Sequence, residues 1–261
     1  MKKLFANLAI AILLAIIALA GIGNQARAQE EPFSQRIFLP LAFPAPASCA
    51  TTGATYVGLT VNPPPTDRPA AQHPDLNLGL RGYAPANVPG EYIWLGGPTD
   101  ARAPQLTTLF VTPRRPDIVS VWRVFDWNWA QDRRGEVITS PPVTLMGLDA
   151  AQDELLLLPD SGYDLGQGYE ALVLYADSHR ITLKYTREDN VIWGYALHLE
   201  NICVDPNLLA LYRSMDAQGR GRLPALHPGQ PFARALRTPP LIAIRDNGSF
   251  MDPRSRKDWW R

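Results

Sequence analysis

The sequence is poor in side chains that bind metal ions or activate nucleophiles. Its 261 residues include only two cysteines and four histidines, and two cysteines cannot make a cysteine-based zinc site. The patterns H-E-x-x-H and G-x-S-x-G are missing, as is a glycine-rich phosphate loop that leads into a helix. The sequence therefore contains no complete catalytic motif, and we expect no bound metal and no cofactor.

The chain also lacks an excess of charge of either sign. It has 25 basic and 25 acidic residues, whereas nucleic-acid-binding proteins present an excess of basic groups to the phosphates. We therefore expect no nucleic-acid partner.

The first residues predict export. A basic start (MKK) is followed by an apolar run over residues 4–23 and by Ala26-Arg27-Ala28, which are the three parts of a secretory signal peptide. We predict cleavage after Ala28 and a secreted, extracytoplasmic protein. The alternative is an uncleaved anchor, because about twenty apolar residues approach the length that spans a bilayer. No second run of this length follows, so we expect no membrane span after cleavage.

The two cysteines predict one covalent link. In an oxidising compartment, Cys49 and Cys203 most simply form a disulfide, and two free thiols are the alternative. Closing a loop of about 150 residues would stabilise the fold by roughly 4–5 kcal/mol in the chain-entropy model. The bond would also join the start of the folded region to its late part.

Turn-forming residues and apolar patterns divide the remaining chain into three parts. We predict a Pro-rich tether over residues 29–50, an N-terminal β region over 51–140 and a C-terminal β barrel-like region over 141–261. Short, closely spaced segments divided by Gly, Asn, Asp or Pro predict strands, and the segment 118–129 is also rich in β-branched and aromatic residues. They cover residues 55–61, 118–129, 136–139, 143–147, 154–158, 169–176, 180–186, 191–199 and 241–246. The predicted fold class is mainly β, an antiparallel barrel or sandwich.

One short helix near residues 206–218 interrupts the β pattern. Asp205 can cap its first amide groups, and Pro206 suits the first helical position. A stripe of apolar side chains at helical spacing predicts its buried face: Leu208, Leu211, Tyr212 and Met215. The helix carries no obvious active-site side chain, so we interpret it as a brace.

Four segments of the second half follow the order of motifs in one enzyme family. They read MGLD at 146–149, GYALHLENI at 194–202, LHPGQPFA at 226–233 and IAIRDNGSFMDP at 242–253. In that order they resemble the end of the H-x-G-x-D zinc motif, the Y-x-H-L strand, the V-x-x-G-Q-x-I-G turn and the closing strand of lysostaphin-type (LytM-like) zinc endopeptidases. Members of that family cut peptidoglycan cross-bridges from a small β barrel.

The departures from that family affect its metal site. Leu145 stands where the family has its first zinc histidine, and Pro239 and Leu241 stand where it has its H-x-H pair. Asp149 and His198 alone remain, whereas zinc hydrolysis needs three ligands. The resemblance thus implies a barrel that has lost its metal, with His198 and Asp149 as the candidate catalytic residues.

A second resemblance covers most of the mature chain. The segments ITLKYTRED at 181–189 and DNGSFMDPRSRKDWW at 246–260 are similar to those of a group of exported bacterial proteins of unassigned function. This similarity implies a shared fold, and no activity follows from it. The basic and tryptophan-rich tail predicts either a buried strap or a contact with a membrane surface or acidic partner.

Aromatic residues of the segment 118–129 are the candidate binding residues. Strand alternation places Trp127 and Trp129 on one face and Trp122 and Asp126 on the other. Aromatic rings beside polar side chains can stack on a sugar and bond its hydroxyls, but the same stripe can instead form core. We predict a non-catalytic module that binds cell-envelope or extracellular glycan or peptide. The alternatives are a cell-wall hydrolase with an unrecognised site and a structural surface or assembly protein.

Overall fold

The computed structural model describes residues 49–63 and 66–261, so the predicted signal peptide and most of the predicted tether lie outside the described residues. The protein is mainly β, with 36% of the described residues in strands and 13% in helices. The strands are β1 (Val57–Thr60), β2 (Tyr83–Pro85), β3 (Ile118–Asn128), β4 (Arg133–Val137), β5 (Leu145–Leu148), β6 (Leu155–Leu157), β7 (Ala171–Ala176), β8 (Arg180–Lys184), β9 (Tyr195–Glu200), β10 (Ile202–Val204), β11 (Arg222–Leu226), β12 (Pro231–Ala235), β13 (Leu241–Asp246) and β14 (Ser249–Phe250). The helices are α1 (Leu78–Arg81), α2 (Pro206–Ala217) and α3 (Arg256–Trp259), with 3-10 turns at Ala70–Gln72 and Leu106–Leu109.

Two antiparallel sheets form the fold. The large sheet runs in the order β1-β11-β7-β8-β9-β13-β5-β3-β2, with β14 on β13 and β4 on β3, and the small sheet runs β10-β12-β6. Within the described residues no closed barrel forms, because β1 and β2 end the large sheet without pairing with each other. The predicted fold class is therefore confirmed, and of its two alternatives the sandwich fits.

Both predicted β regions contribute to the same sheet. The early strand β1 pairs with β11, and β3 pairs with β5. The described residues accordingly belong to one compact unit. The large apolar core includes alternate residues of the central strands, such as Leu183, Leu197 and Ile244.

The opposite face of the central strands is unusually polar. Register pairs Thr182 with His198 and His198 with Ala243, so these residues share one face. Lys184 and Arg245 lie on the same face, each paired with Ala196. This face is buried as well, because the α1 segment and β14 cover it.

The predicted helix near 206–218 is confirmed as α2. The Asp205 carboxylate accepts hydrogen bonds from the amides of Asn207 (2.7 Å) and Leu208 (3.3 Å), and Pro206 occupies the first turn. The buried face differs slightly from the predicted stripe, because Leu209 is buried whereas Leu211 is only half-buried. Among the described helices none is long and apolar enough to cross a membrane.

The predicted disulfide is also confirmed. Cys49 and Cys203 are bonded, with their Cα atoms 5.4 Å apart. The bond joins the first described residue to β10, 154 residues later. A disulfide of this kind is consistent with an extracellular location.

Candidate functional site

His198, the imidazole that the peptidase resemblance indicates, lies inside the protein. It has no exposed surface, and its Nδ1 lies 2.9 Å from the hydroxyl of Thr182. Burial and the charge of Arg245 lower the pKa of His198 to about 3, so the ring is neutral at physiological pH. In this position the ring is out of reach of a substrate in solvent.

Asp149 is not brought together with His198. It is exposed just beyond β5, and its amide donates a hydrogen bond of 2.9 Å to the carbonyl oxygen of Asp117. The register across β5, β13 and β9 places Asp149 two strands away from His198 and about four residues further along. At strand spacings this is roughly 13 Å along the sheet and roughly 10 Å across it.

Two of the three positions of the missing zinc histidines are occupied by core residues, and the third, Pro239, is half-buried. Leu145 and Leu241 lie on the sheet face of His198 and pack in an apolar cluster with Leu78 and Phe250. Leucine has no ligand atom, so the side chains present do not fit the zinc of the resembled family. Within residues 49–63 and 66–261, no group of three or more His, Cys, Asp or Glu residues could hold a metal ion.

Two other buried ionisable groups lie on this polar face. Burial lowers the pKa of Lys184 to about 8. Burial also raises the pKa of Glu200 to about 7, against the opposing effect of Arg180, whose Nε is 3.2 Å away. Perturbed groups often mark functional sites, but Lys184 is fully buried and Glu200 only 3% exposed.

The candidate aromatic residues of β3 separate into different environments. Trp122 is half-buried, donates its Nε1 hydrogen to Ser120 Oγ (2.9 Å) and packs edge-on against Tyr83. This is the packing role that the sequence left open. Trp127 and Asp126 line a groove of about 810 Å³ along the β3–β4 hairpin.

Trp129, at the end of that hairpin, borders a second cleft. Its side chain is 48% exposed, and the cleft has a volume of about 460 Å³. We name it the Trp129 cleft, and its lining residues are Thr66, Asp67, His73, Asp75, Trp129, Asp189, Asn190, Val191 and Ile192. Ile192 and the adjacent Trp193 are 57% and 63% exposed, so the cleft lies beside exposed apolar surface.

Asp75 is held on the cleft wall by two buried arginines. Its Oδ1 accepts hydrogen bonds from Arg81 (2.6 Å) and Arg245 (2.7 Å). Burial would raise the pKa of Asp75, but the charges and hydrogen bonds of Arg245 and Arg81 outweigh it and lower the pKa to about 2. The carboxylate is therefore fixed in position and ionised at physiological pH.

Asp189 is fixed in the same manner by a third arginine. Arg220 donates to both oxygens of Asp189, at 2.6 and 2.7 Å, and the amide of Thr66 donates to Oδ2 at 3.4 Å. Asp189 and Arg220 are both buried, so the cleft contains a second carboxylate with little freedom to move.

His73 connects the aromatic side of the cleft to its rim. Its Nδ1 accepts a hydrogen bond from the amide of Asp75 (3.1 Å), so the ring proton lies on Nε2, which faces Asp67 Oδ1 at 3.4 Å. The His73 ring also packs edge-on against Trp129. Burial lowers the pKa of His73, and with both nitrogens engaged the ring is suited to support rather than to proton transfer.

Arg68 completes the rim of the cleft. Its guanidinium lies 5.5 Å from the centre of the Trp129 ring and binds Asp132 Oδ1 at 2.6 Å. The side chain of Arg68 is 28% exposed and that of Asp132 65%. These contacts join the loop before His73 to the tip of the β3–β4 hairpin.

The sequence indicated only part of this site. Trp129 was among its candidates, but Asp75 and Asp189 were not. The available signal was the arginine inside the apolar segment IAIRD, because an arginine in a buried strand needs a buried acid.

The C-terminal tail is packed against the fold. Trp259 and Trp260 are 2% and 1% exposed, and their indole nitrogens donate to the carbonyl oxygens of Asp252 (2.9 Å) and Pro253 (2.8 Å). Arg254 forms a two-point contact with the Asp252 carboxylate. This arrangement is the buried strap rather than a free surface for docking.

Comparison with known proteins gives no match for this chain, whether with protein-family models, curated proteins or solved structures.

Proposed function

We propose that this protein is a secreted, non-catalytic module that binds a cell-envelope or extracellular glycan in the Trp129 cleft. The observation that carries the proposal is the combination of an exposed indole, Trp129, with Asp75, a partly exposed carboxylate that two arginines hold in place. The C–H face of a sugar ring stacks on an indole, and its hydroxyls donate hydrogen bonds to carboxylate oxygens. A volume of about 460 Å³ falls within the range of small-ligand sites.

The chemistry of the cleft favours binding over hydrolysis. A glycosidase needs one carboxylic acid that is protonated at working pH as well as a second carboxyl group. Asp75, with a pKa of about 2, cannot supply that proton. His73 has both ring nitrogens engaged, and the earlier candidates His198 and Asp149 lie apart. The cell-wall hydrolase alternative is thus less well supported than the binding module.

Export and the family resemblance remain parts of the proposal. We propose that the signal peptide is cleaved after Ala28, that the chain acts outside the cytoplasm, and that its β13 region descends from a LytM-like barrel without its metal. The disulfide supports the location outside the cytoplasm, and the buried leucines at positions 145 and 241 are consistent with a barrel that lacks the metal.

A binding assay on insoluble ligands tests the function. The purified mature chain is incubated with peptidoglycan, cellulose and chitin, and the retained fraction is measured. We expect retention on at least one glycan. Trp129→Ala should lower the retained fraction tenfold or more, because stacking of a ligand ring on one aromatic side chain contributes about 1–3 kcal/mol.

Trp94→Ala is the matched control. Trp94 is 71% exposed and lies outside the cleft, so its loss should leave retention unchanged. If the protein is retained on none of the three materials, a glycan-binding role is contradicted. Binding of a soluble peptide alone would favour a peptide ligand. Release of new reducing ends from a bound glycan would favour the hydrolase.

A further inference from the structure

The Trp129 cleft offers carboxylate oxygens as acceptors to a ligand. Both arginines of Asp75 bind Oδ1, and Oδ2 has no hydrogen bond within the described residues. Asp67 is 66% exposed at its side chain, and its contacts with Arg68 and His73 also use Oδ1 alone. A bound molecule must therefore present donors to these carboxylate oxygens.

The cationic groups of the site point away from the ligand. Arg81, Arg220 and Arg245 are 3%, 6% and 5% exposed, and each donates inward to a carboxylate or a carbonyl oxygen. They hold the cleft carboxylates in place without offering a positive charge to the opening. Arg68 is a partly exposed cation at the rim of the cleft, and Asp132 and Asp67 both bind it.

This arrangement bears on which sugars can enter. A neutral sugar can place its hydroxyl hydrogens on the carboxylates and its apolar face on Trp129. A sugar with a carboxylate or sulfate would instead bring an anion within several ångströms of the exposed Asp67, whereas Arg81 and Arg245 compensate the charge of Asp75. At a surface dielectric, two like charges about 5 Å apart repel by roughly 1–3 kcal/mol, or on the order of tenfold in affinity.

We propose that the Trp129 cleft selects neutral, hydroxyl-rich glycans and rejects their carboxylated counterparts, with Asp67 as a determinant of that selectivity. This inference rests on the proposed glycan-binding function and adds the chemical class of the ligand. Discrimination is electrostatic, so it weakens as added salt screens the charges.

The experiment uses chemically matched ligands. Cellulose and chitin are each prepared in native form and with their primary hydroxyls oxidised to carboxylates, so that only the charge changes along one backbone. We expect retention of the wild-type chain to be on the order of tenfold higher on the native form. The ratio of retention on the native glycan to retention on the oxidised glycan should fall towards unity in 0.5 M salt. It should also fall in the variant Asp67→Asn, which removes the charge and keeps an acceptor oxygen.

Asp149→Asn is the matched control. It removes the same charge from an exposed position outside the cleft, so the native-to-oxidised ratio should match that of the wild type. An equal or higher retention on the oxidised form overturns this inference while leaving the glycan-binding proposal standing. An unchanged ratio in Asp67→Asn would overturn the role of Asp67. Retention on peptidoglycan alone overturns this inference but leaves the glycan-binding proposal standing, whereas retention on none of cellulose, chitin and peptidoglycan overturns both proposals.

Discussion

His198 donates the hydrogen of its Nδ1 to Thr182, because the single hydroxyl proton of Thr182 is already donated to the carbonyl oxygen of Leu76 at 2.6 Å. The ring is therefore the Nδ1-protonated tautomer, and its Nε2 has no partner within the described residues. A buried neutral histidine of this kind makes folding depend on pH.

The first prediction concerns that dependence. Below about pH 6.5 the unfolded chain protonates His198, whereas the folded ring stays neutral until about pH 3. His198 therefore contributes stability that is complete above pH 6.5 and is lost as the pH falls towards 3, by an amount on the order of a few kcal/mol. His198→Leu should abolish this contribution. Urea unfolding at pH 7, 6, 5 and 4 measures it.

The free energy of unfolding must be compared between wild type and His198→Leu at each pH, because Glu200 gives the stability a pH dependence of opposite sign. Its folded pKa of about 7 lies above the ordinary value of 4.5, so it contributes a stability that is lost as the pH rises from 4.5 through 7. Subtracting the free energy of unfolding of His198→Leu from that of the wild type removes the contribution of Glu200, because both proteins contain it. A difference that stays constant across these pH values would contradict the buried neutral state.

The second prediction concerns the arginines behind the cleft. Asp75→Asn leaves Arg81 and Arg245 buried without their shared carboxylate, and we expect the free energy of unfolding to fall by about 3–5 kcal/mol. Thermal and urea unfolding of the variant at pH 7 measure the loss. Asp149→Asn, at an exposed position, should change stability by less than about 0.5 kcal/mol. Similar effects of the two substitutions would argue against a buried ion cluster.

The low pKa of Asp75 also predicts a loss of folding stability in acid. Its folded pKa of about 2 lies below the ordinary 3.8, so its stabilisation is present above pH 4 and is lost as the pH falls from about 4 to 2. The expected size is roughly 2 kcal/mol.

The third prediction concerns the C-terminal strap. Trp259→Ala removes a side chain that is 2% exposed and its hydrogen bond to Asp252, and we expect a loss of about 3–5 kcal/mol. Trp94→Ala, at a 71% exposed position, should cost less than about 0.5 kcal/mol. Calorimetry of both variants tests this. A strap that was only a docking tail would make the two losses equal.

Local sequence signals predicted those elements whose formation is itself local. The segments of β8, β9 and β13 are rich in apolar residues, and α2 carries its own cap in Asp205 and Pro206. By contrast, β11 contains Pro224 and β12 begins with Pro231. Such segments are strands only because neighbouring strands pair with them, so composition did not indicate them.

The candidate site was harder to predict because its parts are far apart in the chain. Trp129 follows from an aromatic strand, whereas Asp75 and Asp189 become neighbours of the cleft only through the sheet order. The polar sheet face that contains His198 could not be predicted either, because the alternation of side chains along a strand does not tell which of two buried faces is covered by apolar residues.

Because β1 pairs with β11, the first strand can join the sheet only after a late part of the chain has been made. Thr60 lies opposite Arg222, so the first strand has no partner until more than 160 further residues have been made and delivered. Contacts of such long range slow folding, and an early strand that waits with open edges is exposed to aggregation. The leading strand of this protein therefore has no strand to pair with until the last sixth of the chain is being made.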